Sequence, residues 1–167
     1  MARQLWLLRH AEAEPHGTRL DAERRLTERG ERQARAAGIA LARLGAVFDA
    51  VLFSPKVRAR TTAELAAEAW SEDQRECLRV HAPLGGGFEL AQAREAMAAL
   101  GGGDGRLLLV GHEPDLSGLV ADLTGGRIDL KKGGLAVVRL EGAGGELVVL
   151  VRPRELALIA GIPTGGD

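Results

Sequence analysis

Gln4-Leu5-Trp6-Leu7-Leu8-Arg9-His10 decides how this chain is read, because a short apolar run there stops abruptly at two basic residues. A run that is apolar on both faces predicts a strand inside a covered sheet, and its polar end predicts a loop that presents Arg9 and His10. The pattern recurs further along. Ala50–Phe53 runs into Ser54-Pro55, and Arg106–Val110, bounded by the glycine-rich turn Gly101–Gly105, runs into Gly111-His112-Glu113. A weaker strand is expected over Cys77–Val80.

Helical spacing fills the intervals. Thr27 is placed to cap a helix reaching about Leu44, with apolar positions at Ala34, Ala37, Ile39 and Leu41 and a stop at Gly45. Ser54 as cap and Pro55 as first helical residue predict a second helix, to about Trp70. Phe88–Leu100 and Asp115–Leu123 have helical spacing as well. From Gly134 the pattern changes: Leu135–Leu140 and Glu146–Val151, joined by Gly142–Gly145, predict an antiparallel hairpin. One short helix and a frayed tail are expected over Arg154–Asp167. Alternating strands and helices in 167 residues predict a single domain over residues 1–167. Its fold class is α/β, a three-layer α/β/α arrangement with a mainly parallel central sheet and a C-terminal antiparallel hairpin.

Composition narrows the function. The apolar fraction of 46% is mostly aliphatic, with only 3% aromatic residues, which fits a packed globular core. A formal net charge of −1, with no basic run interleaved with aromatics, argues against a nucleic-acid partner. Lysine occurs only at Lys56, Lys131 and Lys132, all other basic residues being arginine, a skew that GC-rich codon usage explains. Cys77 is the sole cysteine, so no intrachain disulfide is expected, and it has no arginine six residues on as a Cys-x5-Arg phosphatase requires. The apolar run at the N-terminus is too short for a signal peptide, and no segment approaches the roughly 20 apolar residues of a membrane span. A cytoplasmic protein without a membrane partner is expected. The histidines lack zinc spacing, Gly85-Gly86-Gly87 lacks the spacing of a dinucleotide fingerprint, and no cofactor is called for. His16 and His81 are read as a loop and a strand-end residue.

Three polar clusters follow three expected strands, and in open α/β sheets that edge forms the binding crevice. Arg9, His10, Arg58 and His112 should therefore meet there. Two guanidiniums and two imidazoles suit a dianionic tetrahedral group, since arginine offers planar paired donors to phosphate oxygens. One imidazole can then attack phosphorus if its other ring nitrogen donates to a backbone carbonyl, with the remaining donors stabilising charge on the equatorial oxygens and no metal required.

Leu7-Leu8-Arg9-His10-Ala11-Glu12-Ala13 resembles the Arg-His-Gly/Ala motif of the histidine phosphatase superfamily, which includes the phosphoglycerate mutases. In order, Leu26-Thr27-Glu28-Arg29-Gly30 resembles its Leu-Thr-x-x-Gly segment, Ser54–Thr62 its Ser-Pro-x-x-Arg-Ala-x-x-Thr segment and Val110–Pro114 its second-histidine motif. The resemblance spans about Gln4 to Leu123 and implies a phosphoglycerate mutase-like fold. It also implies His10 as nucleophile, with Arg9, Arg58 and His112 completing the phosphate pocket and Ser54 facing it. The short chain and the wording of Ser54–Ala59 and Gly111–Ser117 are most similar to SixA-type phosphohistidine phosphatases. That implies a phosphorylated protein as partner, such as a histidine phosphotransfer domain in signal transduction. Glu89 lies where larger relatives carry a general acid, though a solvated place in the first turn of a helix explains it equally well. The alternatives are a phosphatase of a small phosphorylated molecule, such as a sugar phosphate or nucleotide, and a phosphate-binding module without catalysis. Mutase activity is disfavoured because a retained intermediate needs a deep, closed pocket. Nothing in the sequence sets the oligomeric state.

Overall fold

The computed structural model describes residues 3–101 and 104–163; the first two residues, two glycines of the Gly101–Gly105 turn and the last four residues of the expected tail lie outside it. Six strands, β1 (Gln4–Arg9), β2 (Ala50–Phe53), β3 (Leu78–Val80), β4 (Arg106–Gly111), β5 (Leu135–Glu141) and β6 (Gly144–Val151), form one sheet in the order β3-β2-β4-β1-β5-β6. The first four run parallel, while β5 is antiparallel to both β1 and β6, so the expected hairpin closes the sheet.

Alternate residues of the central strands face two cores. Trp6, Leu8, Leu108 and Val110 pack with helices α1 (Glu28–Arg43), α2 (Val57–Ala67) and α6 (Pro153–Ala160). Leu5, Leu7, Leu107 and Leu109 pack with α4 (Leu90–Ala98) and α5 (Asp115–Thr124). Both faces are thus covered, which is why β1 and β4 read as unbroken apolar runs. No helix of the described residues is long and apolar enough to cross a membrane.

Two expectations need correction. The helix after β2 begins at Val57, not Pro55, with Lys56 at its N-cap and no side-chain cap. Ser54 is turned inward instead: its Oγ accepts the Lys56 N–H at 3.2 Å and meets a histidine ring, so it closes a tight turn before the helix starts. That helix ends at Ala67, and a separate short helix, α3 (Glu72–Arg75) capped by Ser71, precedes β3.

Glycine brings α1 against its neighbours. A Cβ on Gly30 would lie 1.9 Å from the Glu12 carbonyl oxygen, and one on Gly38 would lie 1.9 Å from that of Ala66. Gly30→Ala must push α1 away from the segment just after His10. A loss of about 3 kcal/mol in urea unfolding is expected, at the upper end for overpacking, together with reduced activity. A stable, fully active Gly30→Ala protein would show that this approach is not needed.

Candidate active site

Sheet register assembles the site. Arg9 lies beside Gly111 and Phe53 beside Val110, so the residues that follow β1, β2 and β4 emerge at one level of one edge. Backbone bonds continue the ladder past the strands: His10 N donates to Gly111 O at 3.0 Å and Ser54 N to Val110 O at 3.0 Å. Arg9, His10, Ser54, Arg58 and His112 are brought together, as expected.

His10 is 6% exposed, and its Nδ1 lies 2.8 Å from the Ala11 carbonyl oxygen. A carbonyl only accepts, so Nδ1 carries the proton and Nε2 keeps a free lone pair. Burial pushes the His10 pKa down to about 3; the Ala11 bond opposes this, while His112, Arg58 and Arg9 add to it. The ring is therefore neutral at pH 7. Ala11 is clamped in turn, its N–H donating to Thr62 Oγ1 at 3.1 Å while that hydroxyl donates to Arg58 O at 2.7 Å.

His112 faces His10 with ring centroids 5.2 Å apart. Its Nε2 meets Ser54 Oγ at 2.7 Å; giving the hydroxyl hydrogen to Nε2 puts the ring's own proton on Nδ1. Burial pushes its pKa down to about 4, helped by Arg58 and Lys56. His112 Nδ1, Arg9 Nε and Arg58 Nε are all buried and without a protein partner. Arg29 Nε, beside Glu12, is likewise unpartnered; unpaired buried nitrogens are costly, and those on Arg9, Arg58 and His112 are available to an external acceptor.

The two arginines are held by their other nitrogens. Arg9 Nη1 donates to Leu130 O at 2.9 Å. Arg58 Nη1 donates to Asp21 O at 2.6 Å and its Nη2 to Asp21 Oδ2 at 3.2 Å. Asp21 was not singled out from the sequence, yet it gathers Lys56 and Arg24 as well as Arg58, which together hold its carboxyl well below the usual carboxylate range. Thr62, Gln33 and Glu12 likewise carry no signal of their own in the sequence that ties them to the site. The Thr27 side chain caps α1 by accepting from Gly30 N at 3.0 Å and donates to Glu12 Oε1 at 2.9 Å, while Gln33 Oε1 accepts from Glu12 N at 3.0 Å. The Leu-Thr-x-x-Gly segment is thus the buttress of the strand end that carries His10.

Glu89 stands apart. It is exposed at the N-cap of α4, with its backbone N–H donating to Gln92 Oε1 at 2.8 Å. The nearer Glu113 is occupied by the Ser117 N–H at 2.9 Å. His16 is an exposed loop residue and His81 caps the turn after β3. Among the described residues no three His, Cys, Asp or Glu side chains are grouped to hold a metal ion.

The model of the histidine phosphatase superfamily, branch 1, matches residues 5–80, which contain Arg9, His10 and Arg58. An uncharacterised protein of Picosynechococcus is 35% identical over 147 residues, covering 81% of this chain and 87% of its own. The chain belongs to the histidine phosphatase superfamily. Among solved structures of similar fold, the protein histidine phosphatase SixA complexed with tungstate gives a TM-score of 0.78 at 24% identity, covering 92% of this chain and 99% of that one. A candidate SixA of Nakamurella multipartitia gives 0.75 at 27% identity, covering 92% and 97%. A phosphoserine phosphatase of Entamoeba histolytica gives 0.67 at 15% identity, covering 92% and 99%. These likenesses establish the phosphoglycerate mutase-like fold for this histidine phosphatase superfamily member.

The low pKa values carry a consequence for stability. Above pH 6.5 both rings are neutral whether the chain is folded or not. Below it the unfolded chain takes up protons that the folded one refuses until about pH 4 at His112 and 3 at His10, so stability falls as the pH is lowered through that window. The two rings together add up to about 2.7 kcal/mol per pH unit to that slope. Urea unfolding at pH 7 and pH 5 should show a smaller acid loss in His10→Asn/His112→Asn than in the parent; equal losses would mean that the rings are not buried as neutral groups.

Proposed function

We propose that this protein is a metal-independent phosphatase that works through a phosphohistidine on His10, with protein phosphohistidine as its substrate. One observation carries the reading: His10 Nδ1 is committed to the Ala11 carbonyl at 2.8 Å, which leaves Nε2 with a free lone pair on a ring 5.2 Å from that of His112, whose Nδ1, like Arg9 Nε and Arg58 Nε, is buried without a partner. Nε2 attacks phosphorus in line, the P–N bond of the substrate breaks, and the departing imidazole takes its proton from water. His112 Nδ1–H, Arg9 and Arg58 donate to the equatorial oxygens as the transfer proceeds. Water then attacks the phosphorus on His10 and releases inorganic phosphate, restoring the ring.

The leaving group supports the substrate class. An oxygen leaving group demands an acid, whereas the imidazole of a phosphohistidine is intrinsically labile and demands less. Among the described residues no carboxylate is hydrogen-bonded to His10 or His112, and Glu89 is the remaining candidate acid. The test compares kcat/KM for a phosphohistidine protein with that for a panel of sugar phosphates and nucleotides. Preference for the phosphoprotein is expected, with Glu89→Gln slowing esters by about tenfold or more and phosphohistidine by less. A strong preference for one metabolite would move the assignment to a small-molecule phosphatase, and tight phosphate binding without turnover would leave a binding module.

A further inference from the structure

All three lysines of the chain lie on segments that join the candidate site: Lys56 just after β2, Lys131 and Lys132 just before β5. Lys56 follows β2 and lies 3.1 Å from the Asp21 carboxylate that also binds Arg58. Lys131 and Lys132 lie on the loop 125–134 between α5 and β5, and that loop is fastened to the end of β1. The Leu130 carbonyl accepts from Arg9, and the Gly133 N–H donates to the carbonyls of Arg9 at 3.1 Å and His10 at 3.0 Å. Lys131 pairs with Asp129 at 2.6 Å, and Asp129 in turn interacts electrostatically with Arg9. Lys132 and Arg127 are exposed and have no ion-pair partner among the described residues. The loop thus sets three cations against one carboxylate.

Elsewhere the balance is reversed. The chain is nearly neutral, and Glu68, Glu72, Asp73 and Glu76 sit around α3, which precedes β3 and so lies at the opposite edge of the sheet. A partner with a negative face would approach by the pocket edge, since charge asymmetry of this kind steers association and fixes orientation. Lys131 and Lys132 stand in solvent, outside the buried nitrogens proposed to hold the phosphoryl group. They meet what surrounds it.

We propose that Lys131 and Lys132, on the loop 125–134, form a docking subsite for carboxylates that flank the phosphorylated residue of a protein substrate. The subsite rests on the phosphohistidine reading and extends it to substrate sequence. Two phosphohistidine peptides, identical except for acidic or neutral flanking residues, test it in the parent protein, in Lys131→Ser/Lys132→Ser and in Lys131→Arg/Lys132→Arg. The parent should favour the acidic peptide by about tenfold in kcat/KM, mainly through KM, and the ratio should shrink toward one by roughly 0.5 M salt. The serine variant should show a ratio near one and the arginine variant should restore it. Each ratio is internal to one preparation, so partial misfolding does not mimic the result. Equal kcat/KM for the two peptides in the parent, or a preference that survives in the serine variant, overturns the subsite. Should the parent hydrolyse p-nitrophenyl phosphate and neither peptide, the phosphohistidine reading falls instead. The subsite is then decided by inhibition of p-nitrophenyl phosphate hydrolysis by the unphosphorylated acidic peptide: stronger inhibition of the parent than of the serine variant supports it, and equal or absent inhibition overturns it.

Discussion

Hydrolysis by a His10→Ala variant is expected to fall by on the order of ten-thousand-fold or more, because loss of a covalent nucleophile removes the reaction path and not only a contact. No neighbour can take over. His112 is the other ring in the pocket, but its Nε2 is engaged by Ser54 at 2.7 Å and its remaining nitrogen is a donor in the arrangement described. Added imidazole should restore part of the lost rate by entering the space the ring leaves, which a variant that merely misfolds would not show. Retention of more than about a tenth of parental activity, far outside the range for an essential nucleophile, would remove His10 from that role.

Arg58→Ala is expected to cost about a thousandfold, mostly in kcat, since its donors meet charge that grows on the transferring phosphoryl group. Arg58→Lys should recover little, because an ammonium point charge does not replace a planar fork. Stability should move the other way. Arg58 is 4% exposed, keeps an unpartnered Nε and shares Asp21 with the cations Arg24 and Lys56, so its removal relieves crowding of like charge. Parental or higher thermal stability alongside lost activity marks a residue held for function. Equal falls in stability and activity would mark Arg58 as structural.

Much of this was legible in the chain. The apolar runs before Arg9, Ser54 and Gly111 were readable because strands buried on both faces carry no alternation and stop at polar residues. Meeting of the four basic side chains then followed from topology. What escaped was tertiary. Asp21 lies in a short turn with no periodicity, and only the folded chain brings it to Arg58. Thr62 looked like any helix residue until Ala11 came to rest on its hydroxyl. Ser54 resembled a helix cap because serine before proline usually is one; here His112 competes for the hydroxyl and the helix starts later. Glu89 lies at the N-cap of α4, one position before the first turn, where a carboxylate suits the positive end of the helix whether or not it also serves as an acid.

The central claim is that phosphate passes through the His10 ring. Rapid quenching in alkali of a reaction with labelled phosphodonor should trap one acid-labile phosphoryl group, located on His10 by peptide mapping and formed at least as fast as turnover. Label on any other residue, or full turnover with no phosphoenzyme at any quench time, would contradict it.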